Sequence, residues 1–500
     1  MKILPKFLLH LIDKMEAKWF IYRNFRRYKS EIHSKVRMHE IKEILKSSFF
    51  DAQYYKEAYQ IELEDIGLAA HYAYIGFRQE YNPSPSFSGK GYYWQRPDVR
   101  KCGMNPLLHY EKYGFREGVK PISVSDFEKC HVSDADIAEI KAIRKQKKVV
   151  LLVSHEMSLT GAPRALLNLA VTLKDLNVEP VFATLIPGDL EAEVKSAGLK
   201  YKILMMQSMD QDPVFSTELK RYISLFDMIL FNTIVALPLI ENIKSLTLPK
   251  VCWIHDGSYG FGCCPSSPKF AALYPIFDKI FVVGDYAKKI AISYSDTSVE
   301  MENLYYGIDD FSCKVCIQSK HADVTMVLAG TIEKRKGQDI LADSLSLLSP
   351  EILKHLKIYV IGKTLEQDIY NRLKNNKSGC IEILGVVPHE QILRHFMQMD
   401  ILLCPSLDDP MPIVCTEAMM LSKPVIVSDH TGTSSFIHDG ENGYVVQAGN
   451  PSSLAEAITK SVKAKSELTS MGKRARKVYE DYFTNKIFEN SIREKLIPLL

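Results

Sequence analysis

Cysteine is sparse in this chain, ten in 500 residues, and irregularly spaced. Cys313 and Cys316 form one CxxC, and Cys263 and Cys264 are adjacent, but neither pair has a second CxxC or a histidine at zinc spacing. The pattern argues against a disulfide scaffold or a zinc module and for scattered reduced thiols. An excess of one charge is also missing. A net charge of +3 provides no field to gather nucleic acid, so none is expected as a partner. No apolar run approaches the length that spans a bilayer, and no secretory signal with a cleavage site is visible, which makes the cytoplasm the expected location. No GxGxxG follows the first strand-like run, Val149–Val153, which argues against a dinucleotide enzyme.

What is present is ordinary globular material, 46% hydrophobic and 25% charged, long enough for about three domains. Residues 1–47 form a basic arm. Leu4, Leu8, Leu11, Met15, Trp19 and Tyr22 recur at helical spacing, with Lys6, Lys14, Lys18, Arg26 and Arg27 among the flanking cations. Such a helix can lie on an anionic membrane surface or pack on the protein's own domains, and both readings stand.

Residues 48–121 contain an internal repeat. Phe49, Tyr55, His71, Tyr72, Gly76, Phe77, Arg78 and Pro83 recur 38 positions later as Phe87, Tyr93, His109, Tyr110, Gly114, Phe115, Arg116 and Pro121. Each unit reads as a tyrosine-rich helix, a loop, a helix bearing the His-Tyr pair and a Gly-Phe-Arg turn, two units stacking into a small helical domain. The regular recurrence of His71 and His109 points to packing, although acceptor binding or partner docking by the domain stays open. A linker follows at 122–148, with Ser133 placed to cap a helix through Ile137, Ile140 and Ile143.

From Val149 short apolar runs alternate with helical patterns, the texture of parallel sheets covered on both faces. One such set occupies 149–312 and a second 320–480, with a closing helix over 481–500. In the second set the run Ile401–Cys404 ends at Pro405 and Ser406, followed by the acidic pair Asp408 and Asp409. Pro412 suits the first turn of a helix that carries Val414, Met419 and Leu421 inward and Glu417 near its middle. Two carboxylates at one sheet end, with free helix-start N–H groups between them, form an anion site with hydroxyl acceptors beside it. Earlier in the same set, Gly330 to Gly337 carries Lys334, Arg335 and Lys336 into a helix, a cationic loop suited to a diphosphate.

Asp409, seven residues, then Glu417-Ala418-Met419 and Lys423-Pro424-Val425-Ile426 resemble the donor-binding signature of retaining glycosyltransferase family 4. The usual form begins with glutamate, so Asp409 stands one methylene further back. Lys336 matches the family's phosphate-loop lysine; Thr331 stands where the family has arginine, and Arg335 is placed to supply that charge. The loop ending in Gly161-Ala162-Pro163 resembles the glycine loop that faces donor and acceptor. His255 stands at the family's strand-end histidine. The similarity covers roughly residues 149–480.

That resemblance implies an α/β protein with two facing Rossmann-like domains, the GT-B arrangement, preceded by the small helical repeat domain. It implies a retaining hexosyltransferase that takes a UDP- or GDP-sugar and passes the hexose to a glycan or lipid-linked acceptor, in surface polysaccharide or glycoconjugate synthesis. The implied catalytic residues are His255, Asp409 and Lys336. Gly161, Gly330, Arg335, Lys336, Asp409, Met411 and Glu417 would bind the sugar nucleotide. No metal and no further cofactor is expected, and the membrane surface is reached, if at all, through the basic arm. Two rival readings stay open: a nucleotide-sugar epimerase or hydrolase on the same fold, and a chain that only binds.

Overall fold

A computed structural model describes residues 38–500 apart from 118, 120, 131, 185–187, 205–218, 237, 264–269, 296–299 and 313–322. Residues 1–37 of the basic arm, Cys264 and the Cys313–Cys316 pair therefore lie outside the described residues. Among the described residues no helix is long and apolar enough to cross a membrane. The chain divides into two compact units, one of Met1–Ile137 with Lys202–Tyr222, the other of Ala138–Tyr201 with Ile223–Leu500.

In the first unit the two repeats share one aromatic core. Tyr55, Tyr72, Phe87 and Tyr92 are fully buried in a single cluster, and Phe49 of the first repeat meets Tyr110 of the second edge-on at 5.3 Å. His71 Nδ1 pairs with the Tyr55 hydroxyl at 2.9 Å, and His109 Nδ1 with the Tyr92 hydroxyl at 2.9 Å. Burial lowers the His71 pKa to about 4, so the ring is neutral and its contact is a packing hydrogen bond. The match of Tyr55 with Tyr93 is thereby corrected. Tyr92 does what Tyr55 does, and the helix caps agree: Asp51 accepts from Tyr54 N as Ser88 accepts from Gly91 N. The first helix of the second repeat is displaced by one residue relative to its histidine, and the Tyr92-Tyr93 doublet conceals that shift. Gly76 and Gly114 are there for the same reason in both repeats, since an added Cβ would overlap the hydroxyl of Tyr55 or Tyr92.

The second unit holds two parallel sheets, apart from Lys202 and Ile203, which end the third strand. The first contains β1 (Val149–Ser154), β2 (Glu179–Thr184), β3 (Lys200–Ile203), β4 (Met228–Asn232), β5 (Lys250–Ile254), β6 (Lys279–Val282) and β7 (Glu302–Asn303). Their spatial order is β3-β2-β1-β4-β5-β6-β7. The second contains β8 (Val324–Ala329), β9 (Leu356–Ile361), β10 (Ile381–Gly385), β11 (Ile401–Cys404), β12 (Val425–Ser428) and β13 (Gly443–Val446), in the order β10-β9-β8-β11-β12-β13. Helices cover both faces, which is why β1, β4, β8 and β11 are buried along their whole length. Each sheet reverses its winding once, at β1/β4 and at β8/β11, and in such sheets the crevice for a ligand opens beyond the carboxyl ends of those strands.

The chain's end ties the two halves of this unit together. The helix Leu468–Tyr482 lies on the second half and packs Gly472 against Ser422. The helix Asn485–Lys495 returns to the first half, where Phe488 stacks on Trp253 at 6.0 Å and Lys495 donates to the Asn303 carbonyl at 2.7 Å. In the 122–148 segment Asp136 N donates to Ser133 Oγ at 3.1 Å, capping the helix Asp134–Arg144. One detail differs from the sequence reading. The helix Ile413–Met420 is buried from Cys415 through Met420, whereas Val414 and Leu421 are only half-buried. It is covered on nearly every side, so no single apolar stripe marks its inward face.

Candidate active site

β8 and β11 run side by side, with Ile401 opposite Met326 and Leu402 opposite Val327, so the loops that follow them leave from one edge. The loop after β8 makes one tight turn at Lys334–Lys336 and ends at Gly337, whose φ of 73° suits glycine. A Cβ there would overlap the Pro405 carbonyl oxygen, so glycine lets the two loops touch. Leu407 N donates to the Arg335 carbonyl at 2.8 Å, and Arg335 Nη1 donates to the Asp408 carbonyl at 3.0 Å. Arg335 also holds Glu333 Oε1 at 2.7 Å, so its guanidinium braces the two loops. Lys336 Nζ meets Asp409 Oδ2 at 2.6 Å. Asp409 is only 7% exposed, and a buried carboxylate of this kind needs such a partner.

Pro412 precedes the helix Ile413–Met420, and Glu417 sits one turn inside it, buried, at the same rim. Its Oε1 is 2.6 Å from His389 Nε2, at the start of the helix His389–Gln398. The Glu417 carboxylate raises the His389 pKa above the usual imidazole range. Met411 is buried between the halves; its carbonyl accepts from the Tyr306 hydroxyl at 3.2 Å and its sulfur from Thr433 Oγ1 at 3.8 Å. Gly330 leads out of β8 with its carbonyl close beneath Gly362.

The facing rim belongs to β1, β4 and β5. His255 follows β5; its Nε2 is buried and has no hydrogen-bond partner among the described residues. Burial, and secondarily His155, lower its pKa to about 3, so the ring is neutral over the working range. Asp256 is buried beside it and accepts from Ile234 N at 2.8 Å, and burial raises its pKa to about 6. After β1, His155 Nδ1 lies 3.2 Å from Thr233 Oγ1, and Glu156 is held to about 2 by His155, Ser158 and Thr160. Thr233 adopts φ 87°, a costly conformation for a β-branched residue, at the end of β4. Gly161 opens the helix Gly161–Asp175 and faces the second half, where an added Cβ would stand 3.6 Å from Ile413 Cδ1.

The residues singled out in the sequence therefore gather at two edges that meet. Lys336, Arg335, Asp409, Met411, Glu417 and Gly330 stand on one, His255 and Gly161 on the other. Asp408, the first of the acidic pair, departs from its neighbour Asp409: its carboxylate crosses to the first half. Asp408 Oδ1 accepts from Ser258 N at 3.0 Å and the Tyr286 hydroxyl at 2.7 Å, and Oδ2 from Tyr259 N at 2.7 Å. Sequence reading also missed His389, His155, Glu156, Thr233 and Asp256. Of these only His155 carried a signal, a histidine directly after a buried strand, as His255 does.

Two family models match the chain. The model for glycosyl transferases group 1 matches residues 317–478, and that for glycosyl-transferase family 4 matches residues 145–261. Among curated relatives, glycosyltransferase MJ1178 of Methanocaldococcus jannaschii is 30% identical over 132 residues, 26% of this chain and 36% of that protein. The amylovoran biosynthesis glycosyltransferase AmsK of Erwinia amylovora is 27% identical over 123 residues, 23% of this chain and 30% of that protein. The chain thus spans about a third of the length of these relatives. The crystal structure of Anabaena Alr3699/HepE in complex with UDP and glucose shares the fold, with a TM-score of 0.61 at 17% identity, covering 70% of this chain and 100% of that one. With these two models placed on its two Rossmann-like halves, the chain belongs to the family 4 glycosyltransferases of the GT-B fold.

Proposed function

We propose that the protein moves a hexose from a nucleoside diphosphate sugar to a glycan or lipid-linked acceptor, with retention of configuration. The observation that carries this reading is the 2.6 Å pair of Lys336 and Asp409 at the rim that also bears Glu417. A sugar nucleotide presents a diphosphate, a ribose and a hexose, and this rim offers a cation, an acid within a helix and an acid beside the cation. In the proposed complex Lys336 turns from Asp409 to the diphosphate, Asp409 accepts from hexose hydroxyls, and Glu417 from ribose hydroxyls. Neutral His255 presents its unpartnered Nε2 to the sugar from the opposite rim.

The C1–oxygen bond breaks with its electron pair passing to the phosphate, where Lys336 and Arg335 offset the developing charge. The acceptor oxygen bonds C1 on the same face, and its proton passes to the departing phosphate oxygen. Lys336 and Arg335 carry the charge stabilisation that a metal ion supplies in other phosphate-leaving reactions. The UDP and glucose held by the Anabaena structure, and the capsular polysaccharide biosynthesis named for the Staphylococcus aureus relative CapM, support a sugar nucleotide donor and a polysaccharide acceptor. The test is a screen of UDP- and GDP-sugars by thermal shift, followed by mass analysis of the products. A donor that raises the melting point and transfers intact hexose upholds the reading. Rapid consumption with free sugar as the only product, whatever acceptor is offered, favours hydrolysis instead.

A further inference from the structure

Asp408 is 7% exposed and belongs to the second half of the unit, yet its carboxylate is held by Ser258, Tyr259 and Tyr286 of the first. Both oxygens are used, by the amides that open the helix Ser258–Cys263 and by the hydroxyl of Tyr286 on the helix Asp285–Ser293. The first half is cut to receive it: a Cβ on Gly257 would overlap the carboxylate. Tyr286 is held protonated, its pKa raised by burial and by Asp408, so it remains a donor. The backbone of the same residue belongs to the donor rim, since its carbonyl accepts from Arg335 and its neighbour Asp409 holds Lys336.

We propose that Asp408 is a positioning residue, a latch through which closing of the two halves sets Asp409 and Lys336 against His255. This rests on the transfer reading above. The side chains assigned to the diphosphate and the ribose, Lys336, Arg335 and Glu417, lie on the second half, so binding of UDP or GDP does not need the latch. Transfer does need it, because His255 lies on the first half. Without the latch the halves remain joined by Tyr306 with Met411 and by the returning C-terminal helix.

The test compares wild type with Asp408→Asn, which turns an amide toward three donors, and with Gly257→Ala, which closes the notch from the other side. UDP and GDP affinity is measured by calorimetry, and turnover with whichever sugar nucleotide wild type consumes fastest. Amide hydrogen exchange is followed at Ser258 and Tyr259. The expected result is a kcat lowered about tenfold or more in each variant, equivalent to roughly 1.4 kcal/mol, with nucleotide affinity within about twofold of wild type. Exchange at Ser258 and Tyr259 rises in Asp408→Asn, and the double variant is no slower than the slower single one. Wild-type turnover in both variants, or affinity and turnover lost together, overturns the latch. A wild type that binds neither nucleotide and consumes no sugar nucleotide defeats the donor reading instead. In that event unchanged exchange at Ser258 and Tyr259 in Asp408→Asn defeats the latch as well.

Discussion

His389 Nε2 lies 2.6 Å from Glu417 Oε1, joining two helices whose residues are 28 positions apart. The histidine holds one carboxylate oxygen, and no described residue bonds the other, which the proposed ribose would use. Replacing His389 by alanine is expected to weaken UDP or GDP binding by roughly 3- to 10-fold, the range for a half-exposed charge-assisted bond, as measured by calorimetry. The pH dependence has a definite sign. A histidine whose folded pKa is raised stabilises the fold fully below its unfolded value near 6.5, and loses that contribution as pH climbs through the folded value. The difference in urea midpoint between wild type and His389→Ala should therefore shrink from about pH 6.5 upward.

The one-residue shift in the repeat makes an opposed pair of outcomes. Tyr92→Phe leaves His109 Nδ1 buried without its partner and is expected to cost about 1–3 kcal/mol. Tyr93→Phe removes only a bond to the exposed Met104 carbonyl and is expected to cost about 0.5–1.5 kcal/mol. Equilibrium unfolding followed by aromatic circular dichroism, which reports the tyrosine-rich core, ranks the two. The reverse ranking would restore the pairing of Tyr55 with Tyr93.

Gly337 sits at φ 73° against the Pro405 carbonyl. Gly337→Ala is expected to destabilise by at least about 1–3 kcal/mol from backbone strain alone, read as a lower urea midpoint. Because the two rim loops meet there, it should also weaken nucleotide binding.

Much of the fold was legible because strands covered on both faces are apolar throughout. Val149–Val153, Met228–Asn232, Val324–Ala329 and Ile401–Cys404 could be read almost to the residue for that reason. β7 is two polar residues, and β13 hides behind the Asp439–Gly443 turn, so neither has a run to recognise. Asp409, Glu417 and Lys336 could be singled out as candidates because they stand close to strand ends at the spacing of the family's donor-binding signature. Asp408's partners stand about 150 positions away and His389 belongs to another helix, and no local pattern encodes such contacts. At the 38-residue offset Tyr54-Tyr55 falls on Tyr92-Tyr93, so the sequence favoured that register, and only the histidine–tyrosine bonds and the helix caps reveal the one-residue shift.

In the proposed complex the cation of one loop and the acid of the neighbouring helix grip a single nucleotide. The most direct measurement is calorimetric titration of UDP and GDP into wild type, Lys336→Ala and Glu417→Ala. Wild type is expected to bind one of the two nucleotides. Each variant should bind it about tenfold or more weakly, the loss of one charge-assisted contact, with Lys336→Ala also slowing turnover by about 10²-fold. Both variants binding and turning over like wild type would contradict the account.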